Sequence, residues 1–185
     1  MLQRINSITF KCLALGIVLL LSSCSSTKVE EYASETPVLS LADYFNGKTH
    51  AYGIFTDRGG KVVKRFTVEI VSNWKIIDGF NTGTLDESFQ YSDGTTQKRI
   101  WTIKEIAPHQ YEGTAADVIG VAVGKSSGNA LNWKYTLLLP VDGKNIEVQF
   151  NDWMYLVNSQ IMLNRAQMTK FGIYLGEVTL SFTKD

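Results

Sequence analysis

Hydrophobic and polar residues alternate with a period of two from Ala51 to Phe182. Phe66, Val68 and Ile70 are separated by Thr67 and Glu69, and Leu85, Phe89 and Tyr91 by Asp86, Ser88 and Gln90. Trp133, Tyr135, Leu137 and Leu139 share one phase, as do Ile146, Val148 and Phe150, then Val178, Leu180 and Phe182. One-sided alternation is the pattern of antiparallel strands that bury a single face. Turn residues punctuate the strands at Asp57-Arg-Gly-Gly60, Asp78-Gly79, Ser92-Asp-Gly94, Ser127-Gly-Asn129 and Asp142-Gly143. The pattern predicts an all-β domain over residues 40–185, a single antiparallel barrel of eight to ten strands. Closure removes exposed sheet edges, and a barrel of this size can hold one small ligand. Ahead of the strands, Ser40 and Asp43 read as a helix N-cap pair and Asn46-Gly47 as a stop, predicting one short N-terminal helix.

Two phase shifts refine this picture. Phe171, Ile173 and Leu175 run in odd phase and Val178, Leu180 and Phe182 in even phase, which predicts a bulge at Gly176. Leu85, Glu87, Phe89 and Tyr91 can face the same way as Arg99, Trp101 and Ile103 only if the loop between them, such as Asp93-Gly94-Thr95, has an odd length.

That phase places charge on the apolar face. Glu87 lies between Leu85 and Phe89, Arg99 beside Trp101, Asp152 continues Val148 and Phe150, and Arg165 follows Ile161 and Leu163. An unpaired ion in a dry interior costs several kcal/mol, so these groups require partners. Glu87 and Arg99 are read as diagonal neighbours on adjoining strands. They either neutralise each other and plug one end of the barrel, or an arginine fixes an anionic head group while an aromatic wall holds an acyl tail. Ligand contacts on the second reading are Glu87, Arg99, Trp101, Asp152, Trp153, Asn164 and Arg165. The ribbons Asn151 to Tyr155 and Asn164 to Gly172 either line a barrel mouth or supply core aromatics and a solvated rim.

The N-terminal region has a separate logic. Arg4 and Lys11 precede an apolar run from Cys12 to Leu21, about half the roughly 20 residues a bilayer-spanning helix needs. Such a run with small residues at its end is a secretory leader. Leu21-Ser22-Ser23-Cys24 resembles the lipobox of bacterial lipoproteins. That resemblance implies a signal peptide over 1–23, lipid on Cys24 and a flexible tether over 24–39. Ser25, where aspartate would signal inner-membrane retention, implies the periplasmic face of the outer membrane. The processed chain would keep sixteen basic and eighteen acidic residues, a net of −2, and no free thiol. No basic stripe suited to nucleic acid is present, so the expected partners are the membrane, through the anchor, and a fatty acid or lipid ligand.

Catalytic chemistry has little support. His50 and His109 lack metal-ligand spacing, and no cofactor motif is present. Gly124-Lys-Ser126-Ser-Gly128 matches G-x-S-x-G, but between strands and with no histidine after it. No residue is therefore assigned a catalytic role.

Residues 83–94, Arg99-Ile-Trp101, Ala116-Asp-Val-Ile-Gly120, Asn151-Asp-Trp-Met-Tyr155 and residues 164–172 together resemble the bacterial lipoprotein family called domain of unknown function 3833. The resemblance implies a small calycin- or lipocalin-like barrel and supplies no activity or cofactor. Three readings follow: a carrier of a fatty acid, lipid or other amphiphile; a structural or interaction protein whose barrel is filled by its own aromatics; and a lipid-modifying enzyme using Asp117 or Asp152 as acid or base.

Overall fold

A computed structural model describes residues 26–141 and 143–184. Residues 1–23, read above as a signal peptide, and Cys24 lie outside the described residues. Ten strands follow in chain order: β1 Gly47–Asp57, β2 Val62–Ile77, β3 Phe80–Tyr91, β4 Thr96–Ala107, β5 Gln110–Thr114, β6 Ala122–Ser127, β7 Ala130–Val141, β8 Lys144–Leu156, β9 Ile161–Lys170 and β10 Ile173–Lys184. Each pairs antiparallel with its neighbours in sequence, and β1 pairs with β10 to close the barrel. The inner face is apolar. The outer face carries ion pairs such as Lys48–Glu69 and Lys98–Asp86 between adjoining strands.

The turns form where glycine and aspartate predict them. Asp78 and Gly79, both with positive φ, join β2 to β3, as a right-twisted two-residue hairpin requires. Asp57 Oδ1 accepts from the Gly59 and Lys61 amides between β1 and β2. Between β3 and β4, Tyr91 N donates to Thr95 O and Gly94 N to Tyr91 O, so the loop length is odd. Glu87 and Arg99 are consequently directly opposite, not diagonal. The register of β9 against β10 shifts between Tyr174 and Gly176, at the predicted bulge.

One end of the barrel is closed. The short helix α1, Leu41–Phe45, begins at Ser40, whose hydroxyl accepts from Asp43 N. Its Leu41, Tyr44 and Phe45 are buried against Ile70, Leu131 and Phe182, and Phe45 meets Phe182 edge-on at 5.6 Å. Tyr44 donates to Gln160 O across the floor.

The segment read as a flexible tether is docked from Lys28 onward. A 3-10 turn, Val29–Tyr32, lies on the outside of the closed half. Val29 is buried, Tyr32 packs against Trp153 and Tyr155 at 6.0 and 5.4 Å, and Leu39 N donates to Gly128 O. Composition alone hid this, because the partners are outward-facing aromatics of β8, far away in sequence.

Candidate functional site

The barrel is hollow. A cavity of about 980 Å³ runs from the α1 floor to the opposite end, within the size range of small-molecule sites. Its mouth lies among Phe55, Val63, Thr96, Pro140, Ile146 and Leu175, and its walls are mostly aromatic and aliphatic. The tyrosines, phenylalanines and tryptophans therefore do not fill the interior. Several stack against the walls instead: Tyr135 lies parallel to Phe150 at 5.0 Å, and Trp101 is edge-on to Trp133 at 5.8 Å.

Glycines make this arrangement possible. Trp133 lies flat over β5 and β6, where a Cβ on Gly113 or Gly124 would sit 2.6 or 2.1 Å from its ring. Gly128 has φ +54, and a Cβ there would overlap the Tyr32 carbonyl. Between them, Ser126 is buried, with its Oγ 3.2 Å from His109 Nδ1. Each position of the G-x-S-x-G match thus has a packing role.

Polar groups interrupt the apolar wall in one region. Arg99 donates from Nε and Nη2 to Asp117, at 2.8–3.1 Å, and its Nη1 is 3.8 Å from Glu87 Oε2. Its ring neighbour is Phe89, 5.4 Å away. Burial works against the Arg99 charge, but the Asp117 bonds and the nearby Glu87 outweigh it and raise its pKa. Burial also lifts Glu87 to about 7, opposed by Arg99. Asp152 is raised to about 7 by burial, opposed by a hydrogen bond from the Tyr135 hydroxyl at 3.2 Å. A carboxyl in an apolar wall favours its neutral form.

The sequence-predicted residues divide by strand face. Glu87, Arg99, Trp101, Asp152 and Asn164 line the cavity. Arg165 does not: its side chain is 61% exposed and its Nε lies 2.6 Å from Glu177 on the outer surface. On β9 the inward residues are Met162, Asn164, Ala166 and Met168, while the more hydrophobic Ile161 and Leu163 face outward. Trp153 also points outward, stacked on Tyr155 at 6.1 Å beneath the 3-10 turn. The Asn151–Tyr155 ribbon is not at the mouth; Asp152 pairs with Trp133 and Met154 with Leu131, towards the floor.

Asp117 is the polar partner that sequence reasoning did not place beside Arg99. The β4–β5 ladder ends at Thr102 opposite Thr114, and the connector 115–121 then runs along β7. Leu138 N donates to Asp117 O and Ile119 N to Thr136 O. The seam between this connector and residues 96–101 of β4 is crossed by the Arg99–Asp117 side chains. The available signal was Asp117 itself, an acid within a small-residue segment between two short strands.

The model of the family described as protein of unknown function (DUF3833) matches residues 18–184. No curated protein matches the chain. Among solved structures, the S-type phycobiliprotein lyase from Guillardia theta is similar in fold, with a TM-score of 0.58 at 7% identity over 86% of this chain and 98% of that one. A protein of unknown function from the DUF3598 family of Nostoc punctiforme has a TM-score of 0.48 at 10% identity, over 82% of this chain and 51% of that one. The architecture is therefore a lipocalin-like barrel, and a shared fold leaves function to be argued from the site.

Proposed function

We propose a function for this chain, which belongs to the DUF3833 family: it binds a hydrophobic or amphipathic molecule, such as a lipid, inside its barrel and carries out no chemistry on it. The observation that carries this reading is the cavity of about 980 Å³, open at one end and lined chiefly by apolar side chains. Burying an acyl chain there gains about 0.8 kcal/mol per methylene removed from water. The carboxyls of Glu87 and Asp152 stand within the same wall, the first 3.8 Å from Arg99 and the second accepting from the Tyr135 hydroxyl.

In this reading the chain is a lipoprotein held by Cys24 at the periplasmic face of the outer membrane. Docking of the segment from Lys28 onward leaves four residue steps between the lipidated cysteine and the barrel, a span of at most about 14 Å. The barrel would thus hang from its closed half, with the mouth turned away from the anchor.

The test uses contact quenching. Trp101 and Trp133 line the cavity, so a monoacyl lipid brominated along its chain should quench their fluorescence saturably in the detergent-extracted full chain. Ala166→Phe, which fills cavity space, should abolish the saturable part. Quenching that is non-saturable, or unaffected by Ala166→Phe and by a second cavity-filling change, Leu137→Trp, contradicts binding inside the barrel.

A further inference from the structure

The closed end of the barrel carries an apolar tip. The β1–β2 ladder ends with Gly47 opposite Ser72, whereas β2 and β3 stay paired as far as Ile77 and Phe80. Five residues of β2 therefore run on past the start of β1, about 16 Å of strand. Trp74, on the inward phase, still has company: it lies flat on Gly83, where a Cβ would sit 2.4 Å from its ring, at the edge of the floor core. Ile76, the next residue of that phase, lies past this core and is 70% exposed. Ile77 and Phe80, on either side of the Asp78-Gly79 turn, are exposed as well. So is Ile106 on β4, next to Glu105, which pairs with Asn81. Large apolar side chains gathered at one projecting end mark a surface that something other than water covers.

Basic groups stand beside this tip. Lys75 is exposed between Trp74 and Ile76, and Lys104 Nζ lies 4.5 Å from the centre of the Phe80 ring. Of the acids at this end, Glu105 accepts from the His109 amide and Asp78 sits in the turn itself. Lysine stems lie along apolar surface while their ammonium groups reach out to water or phosphate. Isoleucine and phenylalanine backed by lysine suit the interface of a bilayer, and the Asp78 carboxylate confines the contact to head-group depth.

The anchor decides which surface lies there. The segment from Lys28 onward docks at the same end: Leu39 N donates to Gly128 O in the β6–β7 turn, and Ser126 N to His109 O in the β4–β5 turn. Lipid on Cys24, within about 14 Å of Lys28, brings a bilayer surface to this half of the barrel. Phe171, in the β9–β10 turn at the mouth, is about 30 Å farther along β9. Resting on the reading of Cys24 as a lipid anchor, we infer that the β2–β3 tip is a second membrane contact. Ile76, Ile77 and Phe80 enter the head-group region of the bilayer that holds the anchor, and Lys75 and Lys104 meet its phosphates. The barrel stands on that surface with its mouth towards water.

The experiment places a nitrobenzoxadiazole label on one introduced cysteine in the full chain extracted from membranes. Ile76→Cys is compared with Ile100→Cys, on the exposed outer wall, and with Phe171→Cys, at a residue 88% exposed that an inverted barrel would use instead. Each is reconstituted in vesicles of phosphatidylethanolamine and phosphatidylglycerol containing a phospholipid with a nitroxide close to its head group. The label at 76 should be quenched at least about threefold more than either of the others, and adding Ile77→Glu should at least about halve that quenching. Stronger quenching at 100 or 171, equal quenching at all three, or quenching unmoved by Ile77→Glu overturns the inference. The intact mass of the chain reports the acyl groups on Cys24 separately. Without them the anchor reading falls and the tip contact with it; with them and no preferential quenching at 76, the tip contact alone falls.

Discussion

Arg99 and Asp117 close the barrel wall where its backbone ladder does not. The guanidinium makes three contacts of 2.8–3.1 Å with the Asp117 carboxylate across the seam beside β4. Planar two-oxygen pairing of this kind is both strong and directional. Removing one member leaves the other ion in a largely apolar setting, so Arg99→Ala should destabilise the fold by about 3–5 kcal/mol. Glu87→Gln should cost far less, because Glu87 stands 3.8 Å from Arg99 and makes no hydrogen bond to it. Denaturant unfolding of the two variants checks the order. In Asp117→Ala, amide exchange should rise first in the connector 115–121.

Stability should depend on pH in a defined window. Glu87 rises from 4.5 and Asp152 from 3.8, both to about 7. Between those limits the folded chain holds more protons than the unfolded one. Stability therefore falls as pH rises from about 3.8 for Asp152 and about 4.5 for Glu87 to 7, and levels off above, at up to about 1.4 kcal/mol per pH unit for each group. Thermal melts over this range should show the decline, and the double variant Glu87→Gln, Asp152→Asn should flatten it. An unaltered slope in that variant would place the pH dependence elsewhere.

Arg165 provides a contrast. Its bond to Glu177 is on the surface, with the arginine side chain mostly exposed, and such pairs contribute about 0–1 kcal/mol. Arg165→Ala should leave both the melting temperature and lipid uptake near those of the unaltered chain. A marked loss of uptake would return this residue to the binding site.

The N-terminal segment should be released by a single change. Trp153 and Tyr155 form the platform for Tyr32. In Trp153→Ala, a protease that cleaves after glutamate should cut at Glu30, Glu31 or Glu35 much faster, with the barrel intact. Protection equal to the unaltered chain would mean that Leu39 and its bond to Gly128 hold the segment alone.

The fold was legible because strand period and turn chemistry are local. The Gly176 bulge, the odd β3–β4 loop and the Ser40 cap were all deducible from spacing. Which phase faces inward was not always so. On β9 the phase opens on the strongly apolar Ile161 and Leu163 but continues with Arg165 and Gln167, and Met162, Asn164 and Ala166 are the residues buried. The neighbours decide this: the pairing of β9 with β8 and β10 forces the even residues inward once Asp152 and Phe182 are there. Asp117 escaped for a different reason, since it sits on an irregular connector whose course depends on the shortness of β5 and β6.

The occupant of the cavity in the protein as the cell makes it tests the account most directly. Native mass spectrometry of the chain extracted from membranes should record one non-covalently bound amphiphile per barrel, lost on Ala166→Phe. A chain recovered without any bound lipid that also fails to take one up, or one whose lipid stays in place after that substitution, would contradict it.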